Sequence, residues 1–146
     1  MLARALAKAR LPVDDVDEPG RLFWRFESSD QVPLGFGGVE IHGKDALLRS
    51  LLTFPPAQKR GVGRGMVAAL EIEALAAGAQ RMWLLTMDAA PFFARLGYAE
   101  CARDQVPAVI QGTAQWRLLC PASAVSMSKQ LRRPAGKRRR VLRLVK

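Results

Sequence analysis

The sequence of 146 residues is poor in several residue types that mark specialised classes of protein. It has two cysteines, Cys101 and Cys120, and one histidine, His42, which excludes a disulfide-stapled scaffold and a cysteine–histidine metal cluster. We expect the thiols to be reduced in a cytoplasmic protein. No apolar run is long enough to span a membrane, and the chain opens on an amphipathic helix rather than a signal peptide.

Acidic residues are missing from residues 129–146, which hold nine of the 23 basic residues. Residues 1–128 carry 14 basic and 13 acidic residues, so the net charge of +10 belongs almost entirely to the C-terminal segment. The sequence therefore predicts one near-neutral domain, residues 1–128, followed by a basic and disordered tail, residues 129–146. Because the tail has no aromatic residue on which bases could stack, nucleic-acid binding is only weakly suggested.

Hydrophobic periodicity places the elements of the domain, and 49% of all residues in the chain are hydrophobic. The predicted helices are Leu2–Ala9, a long helix that follows Gly61 and ends at Gly78, and Ala89–Leu96. The predicted strands are Arg21–Glu27, Val32–His42, Asp45–Phe54, Arg81–Thr86, Tyr98–Arg103 and Thr113–Leu119. Pro121–Leu131 has some helical character. Three glycines in the second strand, Gly35, Gly37 and Gly38, predict a bulge or a close backbone approach.

Residues 51–74, LLTFPPAQKRGVGRGMVAALEIEA, combine an apolar strand, a loop with three glycines and three basic residues, and the start of an amphipathic helix. Backbone N–H groups at a helix N-terminus carry positive partial charge and bind phosphate. Gly61, Gly63 and Gly65 would leave no Cβ between this backbone and a ligand. The stretch predicts a phosphate-binding turn, with an ordinary glycine-rich turn as the alternative.

The glycine spacing excludes two common phosphate loops. The Gly-Lys-Ser/Thr of a Walker loop is absent, and a GxGxxG fingerprint would need its third glycine elsewhere. Gln58, Gly61 and Gly63 instead fit Gln/Arg-x-x-Gly-x-Gly, and Ala90–Tyr98 (APFFARLGY) follows the next predicted strand. In these motifs, within residues 45–98, the chain resembles the GNAT N-acetyltransferase superfamily, in which a coenzyme A pyrophosphate loop precedes a helix reading roughly A-x-x-F-Y-x-x-x-G-F.

The resemblance implies an α/β (α+β) class and the GNAT acyl-CoA N-acyltransferase fold: a mixed, mostly antiparallel sheet with helices on both faces. The stretches GFGGVEIHG, LLRSLLTFP and TAQWRLLCPASA are also similar to a GNAT group linked to arsenic resistance, over residues 2–128. Such proteins usually begin with a strand, and this first strand is expected to be missing here. We expect the sheet edge left open to be covered by the tail or by a second protomer.

A cofactor site follows from the resemblance alone. Acetyl-CoA is implied as the co-substrate, with no metal. The residues implied in its binding are Leu52, Thr53, Gln58, Lys59, Arg60, Gly61, Val62, Gly63, Arg64, Pro91 and Phe92. The cofactor strand is expected to splay from the next strand, Arg81–Thr86, which would leave backbone groups available to the pantetheine arm.

The implied reaction is direct attack of an amine on the thioester. The N–H of Leu52 is expected to polarise the thioester carbonyl. Glu40 is the candidate base for the amine, with a plain surface carboxylate as the alternative, and His42 could also transfer a proton. Arg49 is expected to bind a substrate carboxylate, although a salt bridge from Arg49 to Glu40 or Asp88 fits equally well.

Protonation of the leaving thiolate departs from the family pattern. Phe93 stands where the resemblance implies a tyrosine acid, and Tyr98 occupies a position implied to be aromatic core. Water, or a hydroxyl of Thr86, Ser123 or Ser126, would have to supply the proton. Thr86 is also a candidate substrate contact.

Three hypotheses follow. The first is a cytoplasmic N-acetyltransferase for a small amino-acid-like amine, with an arsenical or another toxin among the candidates and a homodimer as a candidate assembly. The second is a coenzyme A-binding module with weak or lost turnover, suggested by Phe93. The third is a polyanion-binding protein that uses the basic tail. Cys120 could bind trivalent arsenic, but a core cysteine is the plainer interpretation.

Overall fold

The structure, a computed structural model, describes residues 20–54, 61–118, 124–132 and 143–145. Its strands are β1 (Arg21–Glu27), β2 (Pro33–His42), β3 (Asp45–Thr53), β4 (Arg81–Thr86), β5 (Ala99–Cys101), β6 (Val125–Gln130) and β7 (Arg143–Val145). Its α-helices are α1 (Val62–Ala76), α2 (Ala90–Arg95), α3 (Ala108–Gln111) and α4 (Ala114–Leu118), with a 3₁₀ turn at Arg103–Gln105. The predicted helix Leu2–Ala9 lies outside the described residues. None of the described helices is long and apolar enough to span a membrane.

The strands form one mixed sheet in the order β5-β6-β4-β3-β2-β1-β7. Strands β1, β2 and β3 pair antiparallel, as their short connections require. Strand β4 lies parallel to β3, and the connection between them contains α1. Strand β6 inserts antiparallel between β4 and β5. The predicted mixed, mostly antiparallel sheet is confirmed.

Each face of the sheet carries its own hydrophobic cluster, because successive strand side chains point to opposite faces. On one face the sheet packs against α1, which buries Met66, Val67, Leu70 and Ala74. On the other face, residues such as Leu47 and Trp83 pack with Ile110 of α3 and Trp116 of α4. Helices therefore cover both faces, as predicted.

Two predicted elements near the C-terminus are wrong. Thr113–Leu119 was expected to be a strand, but Ala114–Leu118 is helix α4. The Thr113 hydroxyl accepts a hydrogen bond from the Trp116 N–H (3.2 Å), which caps the helix and turns Trp116 into the core. Pro121–Leu131 was expected to have helical character, but Val125–Gln130 is strand β6, paired with both β4 and β5.

Parts of the segment predicted to be tail belong to the sheet. Strand β6 continues through Lys129 and Gln130. Strand β7 pairs antiparallel with Arg25–Glu27 of β1, so the tail covers part of the edge that the sequence left open. Disorder is therefore the wrong prediction for these residues, whereas the division of the chain at residue 128 stays a prediction.

Candidate active site

Strands β3 and β4 are paired over three residues and then diverge. Their register joins Asp45–Leu47 to Arg81–Trp83, and no ladder pair follows. The closed end is held by a hydrogen bond from Trp83 Nε1 to Asp45 Oδ1 (2.8 Å) and by the N–H groups of Gln80 and Arg81, which both donate to the Lys44 carbonyl (2.7 and 3.1 Å). The predicted splay is confirmed, and residues 48–53 of β3 border a crevice instead of a neighbouring strand.

A bulge interrupts β3 beside this crevice. Gly38 pairs with Arg49 and Phe36 pairs with Leu52, so Ser50 and Leu51 together oppose Gly37. One extra residue reverses the alternation of side chains, and Thr53 consequently points toward α1, with its Oγ1 3.9 Å from Met66 Sδ. The glycines of β2 did predict a bulge, but the extra residue lies on the partner strand.

The direction of the β3 amides follows from two contacts. The Phe54 N–H donates to the Leu34 carbonyl of β2 (2.9 Å), and a Cβ at Gly35 of β2 would overlap the Leu52 carbonyl oxygen. The N–H and C=O of one strand residue point to the same side, and that side alternates along the strand. The Leu52 amide therefore faces β2, and the Leu51 amide faces the crevice. The Leu52 amide therefore does not have the direction that polarisation of a carbonyl in the crevice needs, whereas the Leu51 amide does.

Helix α1 begins at the glycine-rich turn, as predicted. Its N-cap is Gly61, with a left-handed φ of 68° that favours glycine, and no side chain among the described residues caps the helix. The first turn also contains no acidic residue. Amide groups at such an end keep their positive partial charge, which suits a phosphate ligand.

Several predicted cofactor residues meet at the mouth of the crevice. A Cβ at Gly63 would lie 3.4 Å from Phe92 Cζ and 3.8 Å from Thr53 Oγ1. The end of β3, the first turn of α1 and helix α2 thus share one cleft. Val62 is partly buried against the core, Arg64 and Pro91 are exposed, and Gln58, Lys59 and Arg60 lie outside the described residues.

Glu40, the candidate base, is buried in a cluster of charges. One carboxylate oxygen accepts a hydrogen bond from Arg49 Nη1 (2.8 Å), and the other lies 3.4 Å from Arg21 Nη2 and 3.2 Å from His42 Nε2. The side chains of Glu40 and Arg49 are 0% exposed, whereas those of Arg21 and His42 are 16% and 19% exposed. The salt bridge that the sequence left open for Arg49 is present.

This arrangement argues against Glu40 as the base that meets an incoming amine. A general base needs an oxygen within hydrogen-bonding reach of the substrate, and both oxygens of Glu40 are engaged inside the protein. Arg49 is likewise turned inward, with its guanidinium 5.5 Å from the centroid of the Phe23 ring. Substrate contact by Arg49 stays a prediction that would need this pair to open.

The candidate acids differ sharply in their surroundings. The Thr86 hydroxyl accepts a hydrogen bond from the Ala89 N–H (3.0 Å) ahead of α2 and keeps its own proton for another partner. Phe93 is buried between Phe92 and Tyr98 in edge-to-face contacts and has no proton to give. Ser126 Oγ is buried without a hydrogen-bond partner among the described residues, and Ser123 lies outside them. Burial raises the pKa of the Cys101 thiol, and Cys120 lies outside the described residues.

A comparison with protein families shows which family the chain belongs to. The model of the acetyltransferase (GNAT) family matches residues 4–98, which include the splayed strands and the whole of the motif Ala90–Tyr98. The chain belongs to the GNAT family. Among the described residues of this GNAT protein, no group of three or more His, Cys, Asp or Glu could hold a metal ion. No curated protein sequence matches the chain.

Solved structures share the GNAT fold at low identity. N-acetylglutamate synthase from Neisseria gonorrhoeae, complexed with coenzyme A and N-acetyl-glutamate, aligns over 90% of this chain with a TM-score of 0.71 and 19% identity. The Mycobacterium tuberculosis protein Rv2747, in complex with CoA and NLQ, covers 75% of this chain and 75% of its own at 24% identity and a TM-score of 0.63. A Staphylococcus aureus Mu50 acetyltransferase of the GNAT family covers 90% and 89% at 13% identity and a TM-score of 0.64. The chain spans about a third of the synthase, 32% of its length.

Proposed function

We propose that this GNAT protein transfers an acetyl group from acetyl-CoA to the amine of a small, amino-acid-like substrate. The observation that carries the proposal is the meeting of the β3–β4 crevice with the N-terminus of α1, which no described side chain caps. A crevice bordered by the part of β3 that lies beyond its ladder with β4 suits a pantetheine arm, and the helix end beside it suits a diphosphate.

The residues present fit a bound coenzyme A. Gly63 lies between Thr53 and Phe92, where a Cβ would make ordinary contacts with both and a larger side chain would extend into the cleft. Amides of the first turn of α1 would hold the diphosphate, with Gln58, Lys59 and Arg60 as further contacts. The Leu51 N–H would donate to the thioester carbonyl, and stabilisation of a developing oxyanion by one such donor is worth about 3 kcal/mol.

The proposed reaction forms a C–N bond and an S–H bond, and it breaks the C–S bond and one N–H bond. The neutral amine nitrogen attacks the carbonyl carbon, the C–S bond breaks, and the proton from nitrogen reaches the departing thiolate through the protein or water. Since Glu40 is engaged and Phe93 has no acidic proton, we propose ordered water as the base and the Thr86 hydroxyl or water as the proton donor. A role for Ser123 stays a prediction.

The acceptor is proposed as an amino acid or a compound that resembles one. The N-acetylglutamate synthase with the same fold was solved with N-acetyl-glutamate, which supports an amino-acid acceptor without naming it. An arsenical that carries an amino acid group remains a candidate from the sequence. Cytoplasmic location, a homodimer and nucleic-acid binding by the tail stay predictions.

The test is a thiol-release screen of acetyl-CoA against amino acids, polyamines and amino-acid arsenicals. Gly63→Glu should abolish coenzyme A binding in calorimetry and abolish thiol release, because the added carboxylate enters the cleft beside Phe92 and repels phosphate. Gly112→Glu is the matched control, since Gly112 ends α3 on the other face of the sheet in an ordinary helical conformation. Tight binding by Gly63→Glu would contradict the cofactor site.

A second candidate, a coenzyme A-binding module without turnover, is favoured by the buried Phe93. It predicts coenzyme A binding by the wild type and no thiol release with any amine in the screen. Binding together with release supports the acetyltransferase instead.

A further inference from the structure

Ser50 has a backbone conformation that is unusual for its residue type and position. Its φ of 58° lies in the left-handed region, which only one other described non-glycine residue, Gln31, enters. Gln31 sits in an exposed turn, whereas Ser50 is buried within a strand. Strained conformations of this kind persist only where the surroundings hold them.

The surroundings of Ser50 are a chain of buried polar contacts across two strands. Arg49 Nε donates to Ser50 Oγ (3.1 Å), and Arg49 Nη1 donates to Glu40 of β2 (2.8 Å). Glu40 in turn contacts Arg21 of β1 and its neighbour His42. Burying the charges of Glu40 and Arg49 costs desolvation free energy. We therefore expect this ion pair to hold the local backbone geometry rather than only to add stability.

We infer that Glu40, Arg49 and Ser50 form a lock that sets the acyl-transfer site, with Glu40 and Ser50 as positioning residues. The inference rests on the proposed acetyltransferase function. The left-handed turn at Ser50 creates the bulge, and the bulge directs the Leu51 amide into the crevice and the Thr53 side chain toward Gly63. In an unbulged strand both groups would point the other way.

The first test distinguishes the effect of the Ser50 backbone conformation from the effect of the Ser50 hydroxyl group. Ser50→Gly adopts the left-handed conformation without strain and needs no hydrogen bond to hold it, so its kcat should stay close to that of the wild type. Ser50→Val disfavours that conformation, and its kcat should fall about 100-fold because the acyl group is misplaced. Coenzyme A binding should change much less in either variant, since the helix end is intact.

A full kcat in Ser50→Val would overturn the lock. So would a loss in Ser50→Gly as large as that in Ser50→Val, because the hydroxyl itself would then be the essential group. Thermal unfolding of both variants shows whether a loss of kcat reflects a loss of fold.

The second test asks whether Glu40 positions the site or acts as the general base. Glu40→Gln keeps an oxygen for Arg49 but weakens the pair, and its kcat should fall about tenfold because the acyl group is held less accurately. The KM for acetyl-CoA and the shape of the pH profile of kcat/KM should not change. Disappearance of the acid limb of that profile in Glu40→Gln would show that Glu40 is the base and would overturn the positioning role.

Amide hydrogen exchange of residues 48–54 tests the lock without turnover. Ser50→Val and Glu40→Gln should exchange faster than the wild type in this segment, and Ser50→Gly should not. Unchanged exchange in all three variants would overturn the lock. If the wild type releases no thiol with any amine, the proposed function fails, but the exchange experiment still decides whether the lock exists.

Discussion

Tyr98 is the only tyrosine in the chain, and its hydroxyl is committed to structure. It donates to Glu71 Oε2 (2.9 Å), and Lys129 Nζ donates to both oxygens of the same carboxylate (3.1 Å each). Burial raises the pKa of Tyr98 far above its ordinary value. The negative charge of Glu71 and the hydrogen bond to Glu71 raise this pKa further. A phenol held in this way cannot supply a proton to a thiolate at neutral pH.

A titration of tyrosinate absorbance checks this directly, because Tyr98 gives the whole signal. The native protein should form no tyrosinate at about pH 11, whereas the chain unfolded in denaturant should titrate near pH 10. Tyr98→Phe, which should keep its turnover, serves as the blank. Tyrosinate in the native protein near pH 10 would contradict the buried hydrogen bond.

The same shift makes stability depend on pH. Above about pH 10 the unfolded chain releases the tyrosine proton and the folded chain keeps it, so the free energy of unfolding falls by up to about 1.4 kcal/mol per pH unit. Chemical denaturation between pH 9 and 11 should show this slope, and Tyr98→Phe should flatten it. An equal slope in both proteins would assign the effect to other groups.

At the level of elements, the pairing of β2 with β3 decides how the crevice is built. The bulge brings the Leu52 carbonyl so close to Gly35 that only glycine fits there. A side chain at Gly35 would push the two strands apart and would also turn the neighbouring Leu51 amide. Stability and site geometry therefore depend on the same contact.

Gly35→Ala should lower the free energy of unfolding by about 3 kcal/mol, because overpacking against backbone cannot relax by a change of rotamer. Denaturant titration measures the loss. Gly112→Ala is the control, since a Cβ there would make only an ordinary contact with the Ala108 carbonyl (3.5 Å). A loss below about 1 kcal/mol in Gly35→Ala would mean that the strands separate easily.

On the scale of the whole molecule, β5 and β7 are the outermost strands of the sheet that the described residues form. Strand β7 shields Arg25–Glu27, and an exposed strand edge is a template for pairing with another chain. The last strand of the basic tail therefore covers part of the β1 edge.

A chain that stops at residue 142 should self-associate more than the wild type, because the β1 edge is then open. Leu144→Pro should do the same without shortening the chain, since proline cannot donate to the ladder. Light scattering measures the association, and coenzyme A binding should stay unchanged because the crevice is three strands away. Monomeric behaviour of both variants, with unchanged melting temperature, would contradict a protective role for β7.

The local parts of the fold were predictable from the sequence. Alternation predicted β1, apolar runs between turn residues predicted β2 to β4, and the glycine-rich turn predicted the start of α1, because these signals come from neighbouring residues. Strand β6 and helix α4 were not predictable in this way. Val125–Gln130 becomes a strand because it pairs with β4 on one side and with β5 on the other. Ala114–Leu118 becomes a helix because Thr113 caps it.

The sequence by itself determined the family, the order of the main elements and the glycines that leave room for a cofactor, since each depends on short-range chemistry. Only the tertiary structure decided that Glu40 is paired with Arg49, that the extra residue of the bulge is on β3, and that Leu51 rather than Leu52 faces the crevice. These outcomes depend on the register between strands. A shift of one residue turns every amide and side chain to the opposite side, and no local pattern encodes that choice.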